Sequence, residues 1–194
     1  MDRREAIFKV ATLMGVTLSA PLISGLVYGQ GNTLLAIPDG YISPLANDNQ
    51  QKMIAEIAEL IIPTTKTPGA KAAKVPEFIN VLITDCYPEQ DQKRFFSGLD
   101  NLDEAAKKAY GKGFLAATKA QQTELLKKAE ADTRALRAKQ PSAPAPFFQM
   151  IKEMTVTGYF TSEIGATKAL NYIAVPGAYR PCEPMKPGQK TWAT

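Results

Sequence analysis

The sequence predicts an all-α fold, a compact bundle of about five to six helices with a long irregular C-terminal tail. Three observations carry this expectation. Apolar residues recur at helical spacing in five separate segments after residue 46. Cap and breaker residues stand at the ends of those segments. After Asn171 the chain turns rich in Pro and Gly and loses the periodicity.

The first helix is expected from Asn47 to Ile62. Asn47 or Asp48 can cap it, Met53, Ile54, Ile57, Ala58, Leu60 and Ile61 form its apolar stripe, and Pro63 ends it. Residues 63–73 carry Pro63, Pro68 and Gly69 and form a shaped loop. Its lysines fit an anion site, and its prolines fit a rigid connector. The second helix starts near Pro76, a good first-turn residue. Phe78, Ile79, Leu82, Ile83 and Cys86 share one face, which puts Cys86 toward the interior. Tyr87-Pro88 breaks the run.

The third helix is expected over Glu89–Tyr110, with Phe95, Phe96, Leu99, Leu102, Ala106 and Tyr110 on its apolar side. Gly98 either bends it or permits close packing, and Gly111 and Gly113 stop it. Thr118-Lys119-Ala120-Gln121 fits a capping box for the fourth helix, whose stripe is Leu125, Leu126, Ala129, Thr133 and Leu136. Its many charges read as a solvated face. Pro141–Pro146 is a stiff connector. The fifth helix, Phe147 to about Phe160, is the most apolar segment after residue 46. It belongs either at the centre of the bundle or on a surface presented to another subunit. A short last helix runs from Ser162 to about Leu170.

The N-terminus reads differently. Arg3, Arg4 and Lys9 form a charged start, and no charged residue follows from Val10 to Tyr28. That is the pattern of a secretory signal over residues 1–29, with Val27 and Gly29 as the small residues before a cut at Gln30. Thr12, Gly15, Thr17, Ser19 and Pro21 interrupt the apolar run too often for a permanent span. The Arg3-Arg4 pair points to the twin-arginine route. It departs from that motif at Asp2, where Ser or Thr is usual, and at Ala6, where Phe is usual. Residues 30–46 then serve as a linker to the helical domain, 47–194.

Of 194 residues, 165 remain after such a cut, enough for one domain with its own core. The signal holds three cations against Asp2 and Glu5, so its loss lowers the formal +4 to +3. The charge is spread along the chain, which does not point to nucleic acid. The sequence has no histidine. That excludes c-type haem attachment, histidine zinc sites and His-based triads. Neither a GxGxxG fingerprint nor a P-loop is present. Tyr159, Glu163 and Asp85 can be imagined as acid–base groups, but the sequence offers no histidine, metal cluster or nucleophile motif to go with them. The two cysteines, Cys86 and Cys182, favour a disulfide in an oxidising compartment. The bridge would close a loop of about 97 residues, worth ~4–5 kcal/mol in the chain-entropy model, and would tie the tail to the second helix. The alternative is two unrelated buried thiols.

Four stretches carry a resemblance. They are Ile61–Ala70 (IIPTTKTPGA), Asp85-Cys86-Tyr87-Pro88, the run Gly158-Tyr159-Phe160-Thr161-Ser162-Glu163-Ile164-Gly165-Ala166, and Val175–Tyr179 (VPGAY) with Cys182. In their order and spacing they resemble the gluconate 2-dehydrogenase subunit 3 family. The resemblance covers most of the chain. It implies a non-catalytic accessory subunit of a membrane-associated periplasmic dehydrogenase. The large partner would be an FAD flavoprotein of the glucose-methanol-choline class that oxidises a sugar, sugar acid or polyol. A cytochrome c subunit would take the electrons, and the twin-arginine translocase would carry the complex. The resemblance supplies no catalytic, cofactor-binding or metal residue. It supports Cys86 and Cys182 as matching positions and Gly158–Gly165 as a signature. The competing reading of the same residues is a free-standing exported helical protein with a binding or scaffold role.

Overall fold

Asn47 opens the first described helix with a complete capping box. Its side-chain oxygen accepts from the Gln50 amide at 2.8 Å, and Gln50 Oε1 accepts from the Asn47 amide at 3.1 Å. Two otherwise orphaned donors are thereby satisfied. The computed structural model describes residues 46–175, 177, 184 and 187–193. These belong to the compact unit Asp39–Thr194. The export signal with Arg3 and Arg4, the linker up to residue 45, and Cys182 lie outside the described residues.

Five α-helices follow in order, α1 (Asp48–Ile61), α2 (Val75–Asp85), α3 (Glu89–Tyr110), α4 (Lys119–Lys139) and α5 (Phe147–Thr161). A 3-10 turn (Phe114–Ala116) precedes α4, and a π-helical turn (Gly165–Ala169) follows α5. The all-α expectation holds, and the described residues contain no strand, only a single bridge between Asn171 and Trp192. Boundaries agree with the sequence reading to within a residue or two. Thr118 and Gln121 form the expected capping box on α4, and Gly111 closes α3 in the left-handed conformation at φ 67°, where a Cβ would be strained.

α5 is the hub. It packs against α1, α2, α3, α4 and the π-helical turn. Phe148, Met150, Ile151, Met154 and Tyr159 are all buried on it. They meet Met53, Ile54 and Ile57 of α1, Ile79 and Ile83 of α2, and Phe95 and Leu99 of α3 in one core. Burying each such side chain stabilises the fold by roughly 1.5–3 kcal/mol before entropy is counted. Two glycines let α5 approach its neighbours. A Cβ on Gly98 of α3 would lie 2.3 Å from Phe147, and a Cβ on Gly158 would lie 2.5 Å from the Phe78 ring of α2. Gly98 therefore serves close packing rather than a bend. Phe95 and Phe147 stack in a tilted pair at 5.5 Å across the same contact, a geometry favourable for aromatic rings.

Three expectations need correction. Leu136 continues the α4 stripe in sequence, yet it is exposed. The second half of α4 is held by polar contacts instead. Arg137 donates to Gln149 Oε1 at 2.7 Å and to the carbonyls of Pro141 and Ala143, clasping the proline connector. Cys86 is exposed rather than interior. It is the C-cap of α2, so it stands past the last turn that packs, although the stripe through Ile79 and Ile83 points its way. The short last helix is a π-helical turn, closed by the Leu170 amide donating to the Gly165 carbonyl at 3.0 Å, and Gly165 lies so close to the Tyr159 carbonyl that a Cβ would meet that oxygen at 1.8 Å.

Gly98→Ala forces Phe147 to move. We predict a loss of about 1–3 kcal/mol in urea unfolding, the usual cost of overpacking a filled site. An unchanged midpoint and slope would show that the α3–α5 contact has slack.

Candidate functional site

The segment that opens α5 toward the tail and the loop of residues 63–73 meet at one hydrogen bond. Tyr159 is 2% exposed, and its hydroxyl donates to the Pro68 carbonyl at 2.7 Å. This is the buried aromatic with a satisfied polar tip that a core tyrosine requires. The other end of the loop is organised by Glu59. Its carboxylate accepts from the Thr64 amide at 2.9 Å, the Thr64 hydroxyl at 2.8 Å and the Lys71 amide at 3.0 Å. Thr64 Oγ1 in turn accepts from the Gly69 amide at 3.0 Å. Gly69 is required here, since a Cβ would come within 2.4 Å of the Glu59 carboxylate. The Thr64 and Lys71 amides are thus used by the chain's own glutamate, and the Lys71 ammonium pairs with Glu56. Of the two readings of this loop, the rigid connector is the one the geometry supports.

The signature segment is structural in detail. Gly158 admits the Phe78 ring. Ser162 donates its hydroxyl to the Tyr159 carbonyl at 2.6 Å and accepts from the Gly165 amide at 3.0 Å. It therefore stops α5 and starts the π-helical turn in one step, as Ser does when its side chain competes with backbone groups. Ile164 packs partly on the core. Phe160 meets Tyr159 edge-on at 5.3 Å and is 41% exposed. Thr161 is exposed and bonds its hydroxyl to the Thr157 carbonyl. Glu163 is exposed, with its carbonyl accepting from the Thr167 hydroxyl. Asp85 is exposed on α2. No hydrogen bond among the described residues joins Tyr159, Glu163 and Asp85.

Two further features were not legible in the sequence. Asp103, inside the apolar face of α3, accepts from the Phe114 amide at 2.7 Å and pairs with Lys107 at 2.6 Å. Gln122 of α4 donates to the Phe114 carbonyl at 2.9 Å. Together they pin the 3-10 turn between α3 and α4. Glu56 of α1 is the other junction. It pairs with Lys71 from the loop and with Lys119 from the first turn of α4.

These contacts set the ionisation of three carboxylates. The Lys119 and Lys71 ammonium groups hold Glu56 below its ordinary value. For Glu59 burial works to raise the pKa, and the bonds from Lys71 and Thr64 outweigh it, leaving it lowered. For Asp103 burial likewise opposes, and Lys107 with the Phe114 amide lowers it.

Two grooves mark the outer face of α4. One, ≈ 730 Å³, runs between α3 and α4 with Asn101, Ala105, Tyr110, Glu124, Ala129 and Phe147 among its walls. The other, ≈ 440 Å³, lies between α4 and α5 beside Lys152, Val156 and Thr157. Among the described residues no three Cys, Asp or Glu side chains gather as a metal site, and no described helix is long and apolar enough to cross a membrane.

Residues 48–177 match the model of one protein family, described as gluconate 2-dehydrogenase subunit 3. No curated protein and no solved structure matches the chain.

The lowered Glu59 gives a signed pH prediction. A carboxylate with a depressed folded pKa adds stability above its ordinary value, 4.5 for Glu59, and that contribution fades as pH falls through the folded value. Glu59→Gln removes it at every pH. The stability gap between wild type and variant is therefore widest near neutrality and narrows as pH falls below 4.5 toward the lower folded value. A gap constant from pH 7 to pH 3 would contradict the assignment.

Proposed function

Because this chain belongs to the gluconate 2-dehydrogenase subunit 3 family, we propose that it is the non-catalytic small subunit of a membrane-associated periplasmic dehydrogenase. The large subunit is an FAD flavoprotein of the glucose-methanol-choline class, and the complex oxidises a sugar, sugar acid or polyol. A cytochrome c subunit takes the electrons. The small subunit assists maturation of the flavoprotein and its export by the twin-arginine translocase.

The family match is the observation that carries this reading. Other features support it. Arg3-Arg4 opens an export signal of the type that passes folded cargo. A flavoprotein that takes up its cofactor before export needs such a route, and a partner bearing the signal can supply it. Within the described residues, the Thr64 and Lys71 amides of the loop and the hydroxyl of Tyr159 are engaged within the chain. That is the economy of a scaffold. In the same reading Cys86 and Cys182 bridge after export, and Cys86 is exposed at the cap of α2.

Arg3→Lys with Arg4→Lys, in cells expressing the whole complex, tests the carrier role. We expect the periplasmic yield of the flavoprotein to fall to that of cells lacking the small subunit. Full yield of the flavoprotein would contradict it. Non-reducing peptide mapping of the periplasmic chain tests the bridge. A Cys86–Cys182 crosslinked peptide is expected, and two freely alkylated thiols would remove it from the account.

A further inference from the structure

A third cavity, ≈ 520 Å³, opens where α1, the loop of residues 63–73, the 3-10 turn and the start of α4 come together. Its size lies within the range of small-molecule sites, about 300–1,000 Å³. Lys52 and Glu56 of α1, Lys71 of the loop, and Lys119 and Gln122 of α4 line it. Leu115 and Ala117 give it an apolar wall.

The charge of these walls is unbalanced. Three lysines stand against one carboxylate, a formal +2. Glu56 pairs with both Lys71 and Lys119. An ammonium group carries three donors, so each keeps donors beyond the one given to Glu56. Lys52 is exposed, and among the described residues it pairs with no carboxylate. Glu59, the next carboxylate toward the loop, is occupied by Thr64 and the Lys71 amide. The loop remains a connector, and what it adds to the cavity is the Lys71 side chain.

The second property is a buried acceptor with nothing to accept. Gln122 is 2% exposed. Its Nε2 donates to the Phe114 carbonyl at 2.9 Å. That bond fixes the orientation of the amide, since only its nitrogen can donate. Oε1 is the edge left over, buried and without a donor among the described residues. Phe114, which holds the nitrogen edge, is not a wall of the cavity. An unmet buried acceptor is costly, and a hydroxyl delivered through the cavity would meet it.

A ligand that answers both properties carries two negative charges and an O–H group. A carboxylate brings a single charge and leaves the walls positive. A neutral polyol brings donors and no charge. A phosphate monoester is close to a dianion above neutral pH, and lysine ammonium groups bind phosphate as point charges. The positive end of the α4 dipole favours the same group. We propose that this cavity binds the phosphate monoester of a small hydroxylated molecule, with the phosphate on Lys52, Lys71 and Lys119 and a hydroxyl on Gln122 Oε1. The site lies on this chain alone and stands apart from the accessory-subunit reading.

Isothermal titration of the full chain at about pH 8, where the ester is a dianion, tests it with glycerol 3-phosphate, methyl phosphate, sulfate and glycerol. Glycerol 3-phosphate is expected to bind about tenfold or more tightly than methyl phosphate or sulfate, which lack the hydroxyl, and glycerol is expected not to bind. Lys52→Gln is expected to weaken glycerol 3-phosphate about tenfold, as loss of a charged hydrogen-bond donor does. Lys127→Gln removes the same charge outside the cavity walls and is expected to change nothing. Equal binding of sulfate, methyl phosphate and glycerol 3-phosphate would mean an adventitious ion only and overturn the proposal. Binding of none of them would leave Gln122 to water and overturn it as well. Wild-type affinity in folded Lys52→Gln would remove the site from this cavity. Flotation with phosphatidylcholine vesicles carrying phosphatidylinositol 4-phosphate separates the sources of the ester. Flotation lost in Lys52→Gln and competed by glycerol 3-phosphate supports the site with a lipid headgroup as its ligand, and tight titration without flotation supports it with a soluble one.

Discussion

Everything in this fold depends on how closely α5 can approach its neighbours. A helix that touches four others and the turn after it has little room for side chains on both sides of each contact. The chain solves this with absent side chains. Gly98 receives Phe147 at one end of α5, and Gly158 receives Phe78 at the other. Between them Ile151 and Met154 are essentially unexposed. At native packing density one added methyl in either glycine contact must displace a ring. The same helix then reaches outward through Tyr159, whose hydroxyl fixes the loop of residues 63–73 by its Pro68 carbonyl.

Polar groups do the joining that apolar contact does not. Glu56 ties α1 to the loop and to the first turn of α4. Glu59 fills the loop's own ring of donors. Asp103 and Gln122 clamp the 3-10 turn. Glu59, Asp103 and Gln122 face backbone groups that would otherwise go unsatisfied, and unmet buried polar groups cost more than the bonds return. The result is a bundle whose connections are as determined as its helices. It leaves Val156 and Phe160 exposed on the outer side of α5.

The helices were legible because their signals are local. Asn47 with Gln50, Thr118 with Gln121, Gly111 and Pro146 act within one turn of where they stand. The stripes on α1 and α3 read correctly because both helices are covered along their length. The stripe on α4 misled at Leu136, because periodicity reports which residues share a face and not how far the neighbouring helices extend. Cys86 misled for the same reason at the end of α2. The dual role of α5 was open in the sequence, and packing resolved it by burying Phe148, Ile151 and Met154 while leaving Val156 and Phe160 outside. Glu59 and Asp103 were invisible as organisers. Their partners are backbone amides 5 to 12 residues away, and no residue pattern marks an amide. The signature Gly158–Gly165 was readable as a motif, whereas its physical content, a glycine against a ring, a buried hydroxyl and a serine between two turns, needed coordinates.

Native-state hydrogen exchange tests the central claim most directly. If α5 is the hub, its amides from Met150 to Tyr159 exchange slowest, together with the buried face of α2, because they open only with the whole bundle. The second half of α4, held by Arg137 and the connector, exchanges well before them. Exchange of the α5 amides as fast as those at the end of α4 would contradict the account, since a helix that opens alone cannot be the one on which the others rest.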